Sequence, residues 1–255
     1  MRRVLPLIAL LIASCSETKE SELRIPADKL KEFILHANVG SISVRNAKVG
    51  STECVLKLKE SGGKSALGAE KRFQVSRTDE RVRLNTRQGE EGLRLDIELT
   101  VPNGITIEAV LRTGDIDIDG SFAVVAATTT TGNIKAKLAA CAGASVKSRT
   151  GNVSLTVAER KPKSDVRAET ITGDVSLTIA GGFRGPVQLN SGSAKFDFGE
   201  EMKMSLLVGP DRKSARGFAG TPMGEDELAK AHKTGVWPPG VWGVTKTGTV
   251  TFRID

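Results

Sequence analysis

The side chains able to do chemistry in this 255-residue chain are few, and they are spaced as a repeat rather than as a catalytic cluster. Asp115, Asn133, Asn152 and Asp174 each stand directly after a glycine, so strands stacked in register would bring them into a ladder. Carboxylates gathered in this way can hold calcium, but two of the four are amides and each repeat offers one carboxylate at most. That is a poor donor set for a cation that takes about six to eight oxygens. Local side-chain bonding in a turn is the reading these residue types favour, and no metal is expected. The only histidines, His36 and His232, accompany no nucleophile motif such as G-x-S-x-G, and the chain has no G-x-x-x-x-G-K phosphate loop. Cys54 and Cys141 have no histidine nearby and make no zinc pattern. In an oxidising compartment they would either form a disulfide or stay as two buried thiols. Trp237 and Trp242, in the loop VWPPGVW, could form a binding loop or cover apolar ends of the fold. No catalytic residue and no cofactor is expected, and the chain does not read as an enzyme.

Composition narrows the partners. Hydrophobic residues make up 39% and charged ones 26%, ordinary values for a folded chain, and this length suits one elongated all-β domain. Aromatics are 4% with no Tyr, which removes the stacking platforms of single-strand nucleic-acid sites, so nucleic acid is not expected as a partner. The net charge of +7 becomes +5 without Arg2 and Arg3, and it is spread along the chain. It points to an anionic surface or polymer only as a general tendency.

The elements that must position these residues repeat. TGDIDID starts at Thr113, TGNIKAKL at Thr131, TGNVSLTV at Thr150, TGDVSLTI at Thr172 and TGTVTFRI at Thr247, with a looser copy, SGSAKFDF, at Ser191. The glycines 114, 132, 151, 173 and 192 lie 18, 19, 22 and 19 residues apart, an interval that fits one coil of a β-solenoid. After the glycine, apolar residues alternate with polar ones, as in Val153, Leu155 and Val157. Before it they alternate again, as in Ala144, Val146 and Ser148. Period-two alternation makes each segment a half-buried strand. Gly114, Gly132, Gly151, Gly173, Gly192 and Gly248 would then mark corners where the register shifts between two strands. A single coil cannot bury its apolar row, so stacking is required.

The same alternation runs faintly through Phe33–Val44 and strongly through Leu93–Val101 before the turn VPNG, which predicts early coils acting as a cap. The reading is therefore an all-β, single-domain β-solenoid or β-helix of stacked coils over residues 24–255, with a period of about 19 residues. An irregular excursion over 199–240 would carry a short helix at Glu225–Lys233 and cap the open end.

The first 15 residues begin with Arg2 and Arg3 and continue with a ten-residue apolar run, the pattern of an export signal and too short to span a membrane. Ile12-Ala13-Ser14-Cys15 resembles the lipobox of bacterial lipoproteins. The resemblance implies a signal peptide over 1–14, lipidation of Cys15 with acyl chains such as palmitate, and a polar tether over 15–23. Ser16 after the cysteine resembles the pattern sent to the outer membrane in cells with two membranes.

Together the lipobox, the LTVPNG turn and the TGD/N strands resemble the bacterial candidate-adhesin families, which include head domains with a Gly-Ile-Asn (GIN) type repeat. The resemblance implies a lipid-anchored β-solenoid in the cell envelope, acting as a non-catalytic adhesion or interaction scaffold with an envelope protein or anionic glycan as partner. The alternative on the same architecture is a polysaccharide-binding or polysaccharide-active β-helix.

Overall fold

Alternation decides the secondary structure: almost every element is a strand with one buried and one solvated face. The computed structural model describes residues 11–12, 18–62, 69–86, 93–158, 165–181, 183, 185–193, 195–198, 207–208, 213–219, 233–234 and 240–254. The N-terminal part holds β1 (Leu11–Ile12), β2 (Thr18–Pro26), β3 (Glu32–Asn46), β4 (Glu53–Ser61), a single helical turn α1 (Ala69–Arg72), β5 (Phe73–Arg77), β6 (Arg81–Thr86) and β7 (Arg94–Val101). The repeats follow as pairs: β8 (Thr106–Thr113) with β9 (Ile116–Ser121), β10 (Val124–Thr131) with β11 (Ile134–Ala140), β12 (Gly143–Thr150) with β13 (Val153–Val157), and β14 (Val166–Thr172) with β15 (Val175–Ile179). The C-terminal part holds β16 (Gly185–Ser191), β17 (Lys195–Phe198), β18 (Leu207–Val208), β19 (Ser214–Ala219), β20 (Val241–Thr247) and β21 (Thr249–Ile254).

The fold is all-β and its pairing is mostly parallel. The strands lie in two layers, and β3, which turns the corner at Gly40 within one continuous strand, belongs to both. The first layer runs β5–β6–β3–β8–β10–β12–β14–β20–β16–β19–β18. The second runs β1–β2–β4–β7–β3–β9–β11–β13–β15–β21–β17. Among the described residues antiparallel pairs occur only at the ends of these layers, where they finish the stack.

Between the layers lies one continuous core, from Leu23 to Phe252. Side-chain size is matched across it. In the first layer Ala168 and Gly243 are paired in register, while in the second Leu177 pairs with Phe252. A Cβ on Gly243 would lie 2.9 Å from the Leu177 Cδ1, so the small residue in one layer makes room for the large one in the other.

The final repeat lies inside the stack and not at its end. β20 and β21 slot between β14/β15 and β16/β17, and β3 likewise sits between β6/β7 and β8/β9. Strand order at both ends therefore departs from chain order, because long-range pairing and not repeat number decides which edges meet. The polar stretch expected as a tether up to residue 23 is a strand from Thr18 onward, paired with β4 from Thr18↔Ser61 to Pro26↔Glu53. It is polar because Glu20, Glu22 and Arg24 face out while Leu23 and Ile25 face the core. Within the expected excursion, β19 pairs antiparallel along the outer edge of β16. The helix expected at Glu225–Lys233 lies, except for Lys233, outside the described residues.

Candidate functional site

The most regular feature of the molecule is the corner between the layers. Gly40, Gly114, Gly132, Gly151, Gly173 and Gly248 all have φ between 130° and 144°, a region that other residues rarely enter. They form a column in which each after Gly40 approaches the glycine of the neighbouring coil: a Cβ on Gly132 would stand 2.0 Å from the Gly114 carbonyl oxygen, and one on Gly151 2.1 Å from that of Gly132. Gly192 does not belong to this column. Ser191 pairs with Thr245 and the Gly192 N–H donates to the Thr245 carbonyl at 3.0 Å, so Gly192 stands opposite Lys246, two positions before the corner. The SGSAKFDF copy is thus aligned on Ser191, not on its glycine.

Two sets of side chains hold the corner. Behind it, buried hydroxyls donate to glycine carbonyls: Ser148 Oγ to Gly132 at 2.8 Å, Thr170 Oγ1 to Gly151 at 2.9 Å, Thr245 Oγ1 to Gly173 at 2.9 Å and Ser191 Oγ to Gly248 at 2.8 Å. In front, the Asp/Asn ladder accepts backbone N–H groups from the next coil. Asp115 Oδ1 accepts from the Asn133 N–H at 2.7 Å, Asn133 from Asn152 at 2.9 Å, Asn152 from Asp174 at 2.8 Å and Asp174 from Thr249 at 2.7 Å. These oxygens are engaged with the chain itself, and no group of three or more metal-ligating residues occurs among the described residues. The hydroxyl column escaped the sequence reading, although its signal was present: S/T-x-T-G puts a hydroxyl at an inward position before Gly132, Gly151, Gly173 and Gly248, while the first copy has Leu111 there.

The outer faces carry the charges. On the second layer Asp117 pairs in register with Lys135 and Asp119 with Lys137, while Asp117 also takes a 2.7 Å bond from Arg45. Nearer the N-terminus an open groove of about 400 Å³ is lined by acids and bases from neighbouring strands, including Glu20, Glu22, Lys57, Lys59, Asp96 and Glu98. On the first layer Glu169 is held by Lys147 at 2.8 Å and by Arg167. Burial pushes the Glu169 carboxyl up, but the hydrogen bonds and charges of Lys147 and Arg167 outweigh this and leave it below the usual carboxylate range. His36 Nε2 lies 3.0 Å from Glu108 Oε1 on the same face, half-exposed.

Cys54 and Cys141 are both buried, on different parts of the stack, and no disulfide joins them. Burial pushes the Cys54 thiol up to about 12 despite the nearby Arg77. The sequence reading also missed a buried ion pair, in which Arg72 Nε donates to Glu60 Oε2 at 2.9 Å with side chains 6% and 2% exposed. Its signal is the parity of β4, which places Glu60 on the inward set with Cys54, Leu56 and Leu58. Trp242 lies on the outer face of β20, paired in register with Arg167 and Gln188, and its ring covers Gly240. Cys15, His232 and Trp237 lie outside the described residues. Among the described residues no helix is long and apolar enough to cross a membrane.

Solved structures with a similar outline include a candidate cell adhesion protein from Clostridium sporogenes, at 10% identity and a TM-score of 0.47, covering 93% of this chain and 100% of that one. A candidate adhesin from Bacteroides fragilis is similar at 11% identity and a TM-score of 0.33, covering 93% and 97%. One from Parabacteroides merdae is similar at 10% and 0.24, covering 64% and 85%. A comparison with curated protein sequences found no match. The model of the domain of unknown function DUF7330 matches residues 108–239, which take in the regular coils from β8 onward, and the chain belongs to that family.

Proposed function

We propose that the chain is a lipid-anchored, non-catalytic interaction scaffold of the bacterial cell envelope, a β-solenoid whose coils of about 19 residues hold fixed rows of side chains out to a partner. The observation that carries this reading is the in-register parallel pairing from β8 to β16 in one layer and from β9 to β17 in the other. Such pairing fixes neighbouring rows about 4.8 Å apart, so the outer faces are pre-organised for a ligand and lose little freedom on binding it. The polar groups of the corner are spent on neighbouring coils, which leaves outward side chains to do the recognising.

Cys15 would carry the acyl chains and be joined through two residues to β2, setting the N-terminal cap against the membrane; β1 falls in the segment that processing would remove. Two measurements test the reading. The protein should fractionate with membranes and a Cys15→Ala variant should not; equal fractionation of both removes the anchor. Isolated envelopes should retain the purified protein saturably without releasing soluble fragments. Absence of retention removes the scaffold role, and release of polymer fragments makes the protein an enzyme.

A further inference from the structure

The row of outward positions two residues before the corner reads, from coil to coil, Arg112, Thr130, Arg149, Ile171 and Lys246, as fixed by the flanking pairs Leu111↔Thr129↔Ser148↔Thr170↔Thr245 and Thr113↔Thr131↔Thr150↔Thr172↔Thr247. All five side chains are exposed. Arg112, Arg149 and Lys246 have no carboxylate partner among the described residues, so a cation recurs on every second coil, about 10 Å apart along the stack. Between them stand a threonine and an isoleucine, not acids. Beside this row runs a second one, the exposed threonines Thr113, Thr131, Thr150, Thr172 and Thr247.

On the same face Glu169 is already neutralised by Lys147 and Arg167, and Glu108 faces His36, so the unpaired charge left over is positive. Asp115 and Asp174 lie beyond the threonine row, with Oδ1 atoms that accept backbone N–H groups. The second layer differs, since there Asp117 and Asp119 stand directly opposite Lys135 and Lys137.

We propose that this face of the first layer binds a linear anionic polysaccharide lying along the stack, its carboxylates on Arg112, Arg149 and Lys246 and its hydroxyls on the threonine row. The inference rests on the scaffold reading and names its partner class. A straight row of cations separated by neutral positions and flanked by a row of threonines matches an extended polymer whose anionic groups recur between hydroxyl-rich units. Duplex nucleic acid fits less well, because its phosphate ridges wind away from a straight line and offer no hydroxyls to the threonines. Recognition here is by charge and hydrogen bonding, in keeping with the scarcity of aromatic side chains.

The test uses the purified protein and immobilised polygalacturonate, with neutral dextran, duplex DNA and phosphatidylglycerol vesicles as competitors. The expected result is binding to polygalacturonate and not to dextran, weakening at least about tenfold as salt is raised from about 50 mM to about 500 mM. A double Arg149→Glu, Lys246→Glu variant should lose about tenfold or more in affinity, while Lys135→Glu, Lys137→Glu on the other face changes it less than about twofold. All four positions are exposed, so both variants keep the fold, and far-UV circular dichroism confirms it. Failure to bind polygalacturonate, equal losses in both variants, or DNA or vesicles bound as tightly as the polymer would each overturn the proposal. Envelope retention that survives the Arg149→Glu, Lys246→Glu change would leave the scaffold reading standing and remove this partner.

Discussion

The two outer faces are built by the same coils from strands of the same alternation, yet they treat charge differently. On the second layer, acids of β9 lie in register against lysines of β11, and Asp197 of β17 lies 3.5 Å from Arg253 of β21. On the first layer, Arg112, Arg149 and Lys246 are spaced out by neutral neighbours. A paired face contributes to solubility and little else, because exposed ion pairs are worth about 0–1 kcal/mol. An unpaired face keeps its field available to a partner. Regular stacking thus supplies a neutral frame, and departures from pairing mark where recognition would occur.

Both faces depend on the glycine column, so breaking it should remove the comparison altogether. Gly132→Val, with φ of 144° and a Cβ position 2.0 Å from the Gly114 oxygen, is expected to cost at least about 3 kcal/mol and to abolish soluble folded protein, read by expression and thermal melting. Normal melting of this variant would show that the corner is not close-packed.

Next in size are changes within one strand that separate inside from outside. Thr170→Val strands the Gly151 carbonyl it serves and should destabilise by about 1–2 kcal/mol, whereas Thr172→Val, two residues on and exposed, should stay within about 0.5 kcal/mol in denaturant titration. Equal effects would mean that the buried hydroxyl column has no structural weight.

A smaller effect sharpens the charge difference. Because the folded Glu169 carboxyl is depressed, its pairing with Lys147 and Arg167 contributes stability that is complete above the ordinary value of 4.5 and is lost as pH falls through the folded value. Glu169→Gln should flatten that acidic part of the stability profile, at a cost below about 1 kcal/mol at neutral pH. It should also raise polyanion affinity modestly by freeing two cations. An unchanged acid limb would assign the pH dependence to other carboxylates. Last, the Cys54 thiol should resist aromatic disulfide reagents at about pH 8 until the protein is unfolded. Rapid labelling of the native protein would show that β4 opens readily.

The corner was legible because its signals are local. A glycine every 18 to 22 residues, an Asp or Asn after it and alternation on both sides are read within a dozen residues, and the structure places Asp115, Asn133, Asn152 and Asp174 where their oxygens bond the next coil. Gly192 misled for the same reason. Its local motif resembles a corner, but pairing of Ser191 with Thr245 sets the register of that coil. The buried pair Glu60–Arg72 was hidden because a charged residue in an inward slot reads as a lapse of alternation until its partner from α1 is seen.

By itself the sequence determined that strands alternate, that glycine turns the corner, and that each coil must bury its apolar row against a neighbour, since these follow from backbone sterics and from water's exclusion of apolar surface. Only the tertiary structure decided that β3 and β20–β21 enter between other coils, and hence which outward residues line up as one row. Strands with the same alternation can pair in any order. The choice among orders rests on contacts between residues as far apart as Val187 and Val241, which no short-range pattern encodes.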